Sequence, residues 1–246
     1  QEFGAVRAYE TYLPLATTYI LQHEERAARL SDGGAESDKI RESNLVSTAY
    51  QRAGIAAGYL MEHYVGEKKW QVARATFEPW LEAHPGDSQV QYFLGYSLQQ
   101  QGDLKAAILA YEATIAIDDS HAPAMNNLGV IYTTQAVHLD AAVDLIKRAL
   151  ELSPQESPHY LDSLGWAYFM QGDRGKAITA LRSGVAACPD ENTVAMTELL
   201  YHLGLVYEDQ GDVKKATSAL KRARKLVVEA SMTINVVDAL TRLGSK

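Results

Sequence analysis

Apolar residues in this 246-residue chain recur at every third and fourth position, the period of a helix buried along one face, and nowhere in the alternation of a half-buried strand. Ile40, Val46, Ala49, Tyr50, Ala53, Ala57, Leu60 and Tyr64 keep that spacing and predict a long helix from about Asp38 to Val65. Ser31-Asp32-Gly33-Gly34 separates it from an earlier helix over about Pro14 to Leu30. Pro14 fits the first turn of such a helix, where its missing N–H would have no partner anyway. Ile234, Val237 and Leu240 mark a last amphipathic helix near the other end.

Between these ends the pattern is periodic. Leu94-Gly95-Tyr96-Ser97-Leu98, Leu128-Gly129-Val130-Ile131-Tyr132, Leu164-Gly165-Trp166-Ala167-Tyr168 and Leu203-Gly204-Leu205-Val206-Tyr207 are versions of one string, with their glycines 34, 36 and 39 residues apart. Each is followed by a second amphipathic stretch, such as Ala107-Ile108-Leu109-Ala110-Tyr111, and three second stretches meet Pro85, Pro154 or Pro189. The unit reads as helix, turn, helix, stop. Gly102-Asp103, Gly172-Asp173 and Gly211-Asp212 supply a left-handed residue to end the first helix and a side-chain oxygen to cap the second. Gly95, Gly129, Gly165 and Gly204 permit a close crossing, for which Ala107, Ala142, Ala177 and Ala216 offer small facing residues.

These strings resemble the tetratricopeptide repeat, in which a small residue marks the crossing of helices A and B and a proline ends helix B. The resemblance implies an all-α fold, a right-handed superhelical solenoid of helix-turn-helix repeats with extra helices at both ends. Repeats are expected at 54–87, 88–121, 122–156, 158–191 and 197–230, between an N-terminal helical extension over 1–53 and a C-terminal capping helix over 231–246. Four departures stand out. The first repeat has Met61 at the small position and Trp80 where helix B usually has alanine. The third carries an extra residue around Ala136-Val137-His138. Asn192 to Met196 lengthens the turn before the fifth or starts its helix A early, and the second ends at Asp118-Asp119 without proline.

Charge and composition narrow the function. The net charge is −8, whereas a nucleic-acid surface needs Lys and Arg gathered on one face to neutralise phosphates, so no nucleic-acid partner is expected. Cys188 is the only cysteine, which excludes an internal disulfide and a cysteine-rich zinc site. At the end of a helix B it reads as an inert thiol. The basic cluster Lys214, Lys215, Lys221, Arg222, Arg224 and Lys225 reads as a solvated outer face. Membrane contact is expected only through that 214–225 cluster or through a lipid anchor lost from the chain.

No catalytic or cofactor site emerges. Gly172-Asp173-Arg174-Gly175-Lys176 lacks the spacing and hydroxyl of a phosphate loop. His23-Glu24-Glu25 has no second histidine four residues after the first, so no metal site is expected either. The protein reads as a non-enzyme with no cofactor.

The binding surface follows from the resemblance. In this family helix A residues line a concave groove, and the matching positions include Tyr59, Tyr92, Phe93, Tyr96, Asn126, Asn127, Trp166, Phe169, Met170 and Tyr201, with Thr133, His159, Asp162, His202 and Glu208 nearby. Lys and Arg are absent from these positions, so the family's carboxylate clamp is not expected despite the two asparagines. An aromatic and amide-rich groove suits a peptide or partner protein, because aromatics dominate interface energetics and asparagine can serve both donors and acceptors of a backbone. The expected function is an interaction scaffold or adaptor. The alternatives are a carrier of a small hydrophobic ligand, associated with a transporter, or coverage of the groove by the chain's own N-terminal helix or by a second copy through self-association. Tyr160 to Trp166 is similar to a string frequent in bacterial tetratricopeptide proteins, several of them envelope lipoproteins. It favours a periplasmic or outer-membrane location over a cytoplasmic one.

Overall fold

The computed structural model describes residues 2–30, 35–189, 193–226 and 230–244. Among them the chain forms α-helices and one 3-10 turn, with no strand. The expected break at Ser31 to Gly34 lies outside the described residues.

The chain divides into two compact units, residues 1–119 and 120–246. The first holds α1 (Glu2–Leu30), α2 (Glu36–Gly66), α3 (Trp70–Ala83), α4 (Ser88–Gln100) and α5 (Leu104–Ile117). The second holds α6 (Ala122–Thr134), α7 (Leu139–Leu152), α8 (Ser157–Met170), α9 (Arg174–Ala187), α10 (Thr193–Asp209), α11 (Val213–Leu226) and α12 (Ala230–Gly244), with the 3-10 turn Pro154–Glu156 before α8. α2 spans the long helix read from the sequence and runs through residue 53 without interruption. α10 begins at Thr193, which resolves the irregular spacing before the fifth repeat as an early helix start; Ala195 and Thr197 are buried.

α1 departs from expectation. It starts at Glu2 rather than Pro14, leaving the proline inside the helix. Proline in a helix interior removes a backbone bond, but Val6, Leu13, Ala16 and Ile20 form one buried stripe on either side of it. That packing holds the helix through the missing bond. α1 runs antiparallel to α2, with Tyr9 beside Tyr59 and His23 bonded to Glu42. Tyr64 of α2 ties both neighbours, donating its hydroxyl hydrogen to Glu10 of α1 at 2.9 Å and contacting the Thr76 hydroxyl of α3 at 3.2 Å, and α1 also touches α3 directly. α1 is therefore part of the first unit's core rather than a detachable lid.

The turns that lead into α3, α5, α7, α9 and α11 share one pattern. The N–H groups of Asp103, Asp173 and Asp212 donate to the carbonyls of Leu98, Tyr168 and Tyr207, closing a Schellman loop around a glycine at φ 81°, 85° and 83°. The same aspartates then accept from the N–H groups of Ala106, Lys176 and Lys215, capping the next helix. Two turns close the same bonds without glycine, placing Lys68 at φ 54° and Ala136 at φ 53°. The extra residue of the third repeat puts His138 in the left-handed region as well, at φ 48°.

The close crossings are present, but their principal partners lie one turn beyond the expected alanines. A Cβ on Gly165 would stand 2.5 Å from Leu181 Cγ and 3.3 Å from the Ala177 carbonyl oxygen. On Gly129 it would stand 2.7 Å from Ile146, on Gly204 2.6 Å from Leu220 and on Gly95 2.9 Å from Tyr111. The alanines set the backbone distance, and the larger residues four positions later fill the space left by each absent Cβ. In the second unit α6, α8 and α10 touch their neighbours in turn, whereas α9 and α11 meet chiefly through α10.

Candidate functional site

The ten candidate residues sit on first helices, and all are partly exposed, neither sealed in the core nor free in solvent. In the first unit Tyr92 is the hub. Its ring lies 5.9 Å from Phe93, 6.5 Å from Tyr96 and 5.9 Å from buried Tyr111. Tyr96 meets Trp70 edge-on at 5.9 Å, and Phe93 rests on buried Phe77 at 5.9 Å. Helical spacing explains the set, since Tyr96 follows Phe93 by three residues and Tyr92 by four, while rings of α3 and α5 buttress them. Tyr59 differs, because its ring lies 4.9 Å from that of Tyr9. The N-terminal helix reaches this position.

In the second unit α8 and α10 bring Asp162, Trp166, Phe169, Tyr201 and His202 together. The Trp166 ring stacks on the His202 imidazole at 4.7 Å and lies 5.0 Å from Phe169. Asp162 holds His202 Nδ1 at 2.8 and 3.0 Å from its two oxygens. Burial alone would lower the His202 pKa. The charge and hydrogen bond of Asp162, with Glu198 behind them, outweigh it and hold the imidazole above its ordinary value. The face is thus aromatic with a built-in ion pair. On α6, Asn126 Nδ2 lies 3.5 Å from Asn127 Oδ1, while Asn126 Oδ1 is buried with no hydrogen-bond partner among the described residues. An unpaired buried carbonyl oxygen is costly unless something donates to it.

Several neighbours do not join this surface. Thr133 is buried and bonded to the Gly129 carbonyl, Glu208 pairs with Arg242 of α12 at 3.1 Å, and His159 is exposed. Cys188 is a buried free thiol.

A second polar cluster escaped sequence reading. Tyr50 of α2 shares a hydrogen with His84 Nδ1 at 2.8 Å, Trp80 Nε1 donates to Asp87 at 2.9 Å, and the Trp80 and His84 rings lie 4.3 Å apart. Burial pushes the Tyr50 hydroxyl up to about 12 and lowers His84 below the ordinary histidine value. Trp80 was the only hint, as the bulkiest residue at a position held by Thr114, Ala149, Gly184 and Ala223 later.

Among the described residues no group of three or more His, Cys, Asp or Glu is placed to hold a metal, and no helix is long and apolar enough to cross a membrane.

Paired antiparallel helices with glycine crossings and a partly exposed aromatic face on the first helices define a helical-repeat protein. Two tetratricopeptide-repeat family models match, over residues 62–123 and 197–226. The chain is 29% identical over 205 residues to the TPR repeat-containing protein PA4667 of Pseudomonas aeruginosa, a match covering 82% of this chain and 32% of that protein. The chain spans about a third of the length of the curated relatives it matches. Among solved structures it is similar to TTC0263, a thermophilic TPR protein of Thermus thermophilus, with a TM-score of 0.63, 19% identity, and coverage of 77% of this chain and 100% of that one. It is also similar to YrrB, described as a TPR protein with an unusual peptide-binding site, with a TM-score of 0.55, 15% identity, and coverage of 75% and 92%. Over residues 62–123 and 197–226 the chain thus carries tetratricopeptide repeats, and it is similar to bacterial tetratricopeptide-repeat proteins.

Proposed function

We propose that this protein is a non-catalytic adaptor that binds a peptide or a segment of a partner protein on the first-helix face of its repeats. Tetratricopeptide-repeat proteins generally mediate protein–protein interactions, and the peptide-binding site named for YrrB supports a peptide as ligand. The observation that carries the reading is a partly exposed set of large side chains: Tyr92, Phe93 and Tyr96 in one unit, Trp166, Phe169 and Tyr201 with Met170 in the other. Large rings left partly open are where binding energy concentrates. Asn126 and Asn127 add amide groups suited to a peptide backbone. Tyr59, already against Tyr9, contributes least.

The resemblance of Tyr160 to Trp166 to strings in bacterial envelope lipoproteins supports a role in assembling an envelope complex; fractionation of the native host tests it. The binding face is tested by recovering partners from native extract and titrating the recovered partner by calorimetry. Tyr96→Ala and Trp166→Ala should each weaken binding by about 2 kcal/mol or more, and Asn127→Ala by about 1 to 3 kcal/mol. Affinity should survive raised salt, since Lys and Arg are absent from the candidate set. A co-purified small molecule released on denaturation, with no protein partner, would favour the hydrophobic-carrier alternative.

A further inference from the structure

The outer side of the second unit carries a feature that the aromatic face does not use. α9 and α11 are spread apart over α10, and the space between them is a groove of about 370 Å³. Its apolar lining comes from Val185 and Ala186 of α9, Leu200, Leu203 and Tyr207 of α10, and Ala219 of α11. Ala186 is exposed and Val185 partly buried, while Leu200, Leu203 and Ala219 are buried. Arg182, Lys215 and Arg222 stand around this lining, which includes no carboxylate among the described residues.

The charges are arranged unequally. Lys215 is engaged by Asp212 at 2.7 Å and lies over the Tyr207 ring at 5.5 Å. Arg182 and Arg222 are exposed and have neither an ion pair nor a hydrogen bond to any described residue. Among the described acids between α10 and α11, Asp209 pairs with Arg174, Glu208 with Arg242 and Asp212 with Lys215. Arg182 also acts on Lys215 as a like charge. Two guanidinium groups thus flank an apolar trough in a chain whose net charge is −8. Solvation alone explains exposed arginines, but not their pairing across an apolar groove whose described lining holds no acid to offset them.

We propose that the groove between α9 and α11 docks an acidic amphipathic segment of a partner protein, its apolar side chains on Val185, Ala186 and Tyr207 and its carboxylates on Arg182 and Arg222. A guanidinium presents a planar fork that matches a carboxylate, and the apolar lining supplies the burial that a purely ionic contact lacks. An amphipathic helix laid between two helices is a recurrent recognition mode. Because the charges sit at an exposed rim, their attraction acts mainly on encounter rate and is screened by salt. This site is independent of the aromatic face.

The probe is a labelled, end-blocked 18-residue peptide with leucines at positions three and four apart and glutamates flanking them, titrated against the full chain by fluorescence anisotropy. Binding should weaken at least tenfold between 50 and 300 mM salt, an interval set by the screening length. It should also weaken at least tenfold in Arg182→Gln/Arg222→Gln, and as much in Ala186→Trp, which obstructs the trough while keeping the charges. Circular dichroism confirms that each variant is folded. Tyr96→Ala and Trp166→Ala should bind the probe like the parent, so loss of this site and loss of the aromatic face are read separately. Equal affinity for a scrambled peptide of the same composition would overturn the proposal. So would charge-dependent binding to phosphatidylglycerol vesicles without binding to the peptide. Concentration-dependent association of the chain alone, abolished by the double glutamine variant, would assign the groove to a second copy instead.

Discussion

At the scale of single residues, the helix turns separate two demands that glycine meets, backbone conformation and space. Gly172 has φ 85° and nothing within 4 Å of a Cβ placed on it, whereas Gly165 is helical but would drive a Cβ to 2.5 Å from Leu181. Gly172→Ala should therefore cost about 1 to 2 kcal/mol through the left-handed backbone alone, and Gly165→Ala about 1 to 3 kcal/mol through overpacking. Ala136 holds the Gly172 conformation with a side chain, at φ 53°. Ala136→Gly should accordingly gain about 1 kcal/mol. Urea melts of the three variants check the set. A gain from Gly172→Ala or a loss from Ala136→Gly would show that these turns are not governed by φ.

At the scale of elements, boundaries were legible wherever a cap residue follows a glycine. Asp103, Asp173 and Asp212 could be assigned as caps from sequence because the capping bond spans three residues and needs no distant partner. The early start of α1 was not legible. Pro14 is a local signal for a helix start, and it was overruled by the burial of Val6, Leu13 and Ile20. The aromatic face was legible position by position through the repeat frame, but the Tyr50–His84 bond joins residues 34 apart in the least regular repeat. The Asp162–His202 pair joins residues 40 apart on different helices, so each residue could be named and the contact could not. The α1–α2 pairing carries its own test. Glu42 is held below the ordinary carboxylate range first by its hydrogen bond to His23, with Arg26 at 3.2 Å and Arg41 adding to the effect. A carboxylate whose folded value is depressed contributes stability above its unfolded value and loses it as pH falls through the folded one. Acid should therefore loosen α1 from α2 below the ordinary carboxylate range. Hydrogen exchange along α1 should accelerate there in the parent, and the pH dependence should flatten in Glu42→Gln. An unchanged profile in the variant would mean that another group controls the docking.

At the scale of the whole molecule, the two units answer to pH in opposite directions. His84, in the first, is buried against Trp80 and has its value lowered by that burial, which Glu24 and Asp87 offset only in part. His202, in the second, is raised because Asp162 and Glu198 outweigh burial. An unfolded histidine titrates near about 6.5. His84, depressed in the fold, contributes stability above that value and loses it as pH falls, because the unfolded chain then binds the proton more readily. His202, raised in the fold, contributes fully below that value and loses its contribution as pH rises through the higher folded value. Mild acid should thus weaken the packing around α3 while preserving the contact between α8 and α10. Because Trp166 stacks on His202 at 4.7 Å, the same proton holds one wall of the aromatic face in place. Imidazole proton resonances followed by NMR should give two midpoints, His202 above the unfolded value and His84 below it. Asp162→Asn should lower the first and leave the second unmoved, and partner binding to the Trp166 face should then weaken as the imidazole loses its anchor. If the two midpoints fall in the reverse order, or if Asp162→Asn shifts His84 instead, neither the ion pair nor the burial described here sets the titration.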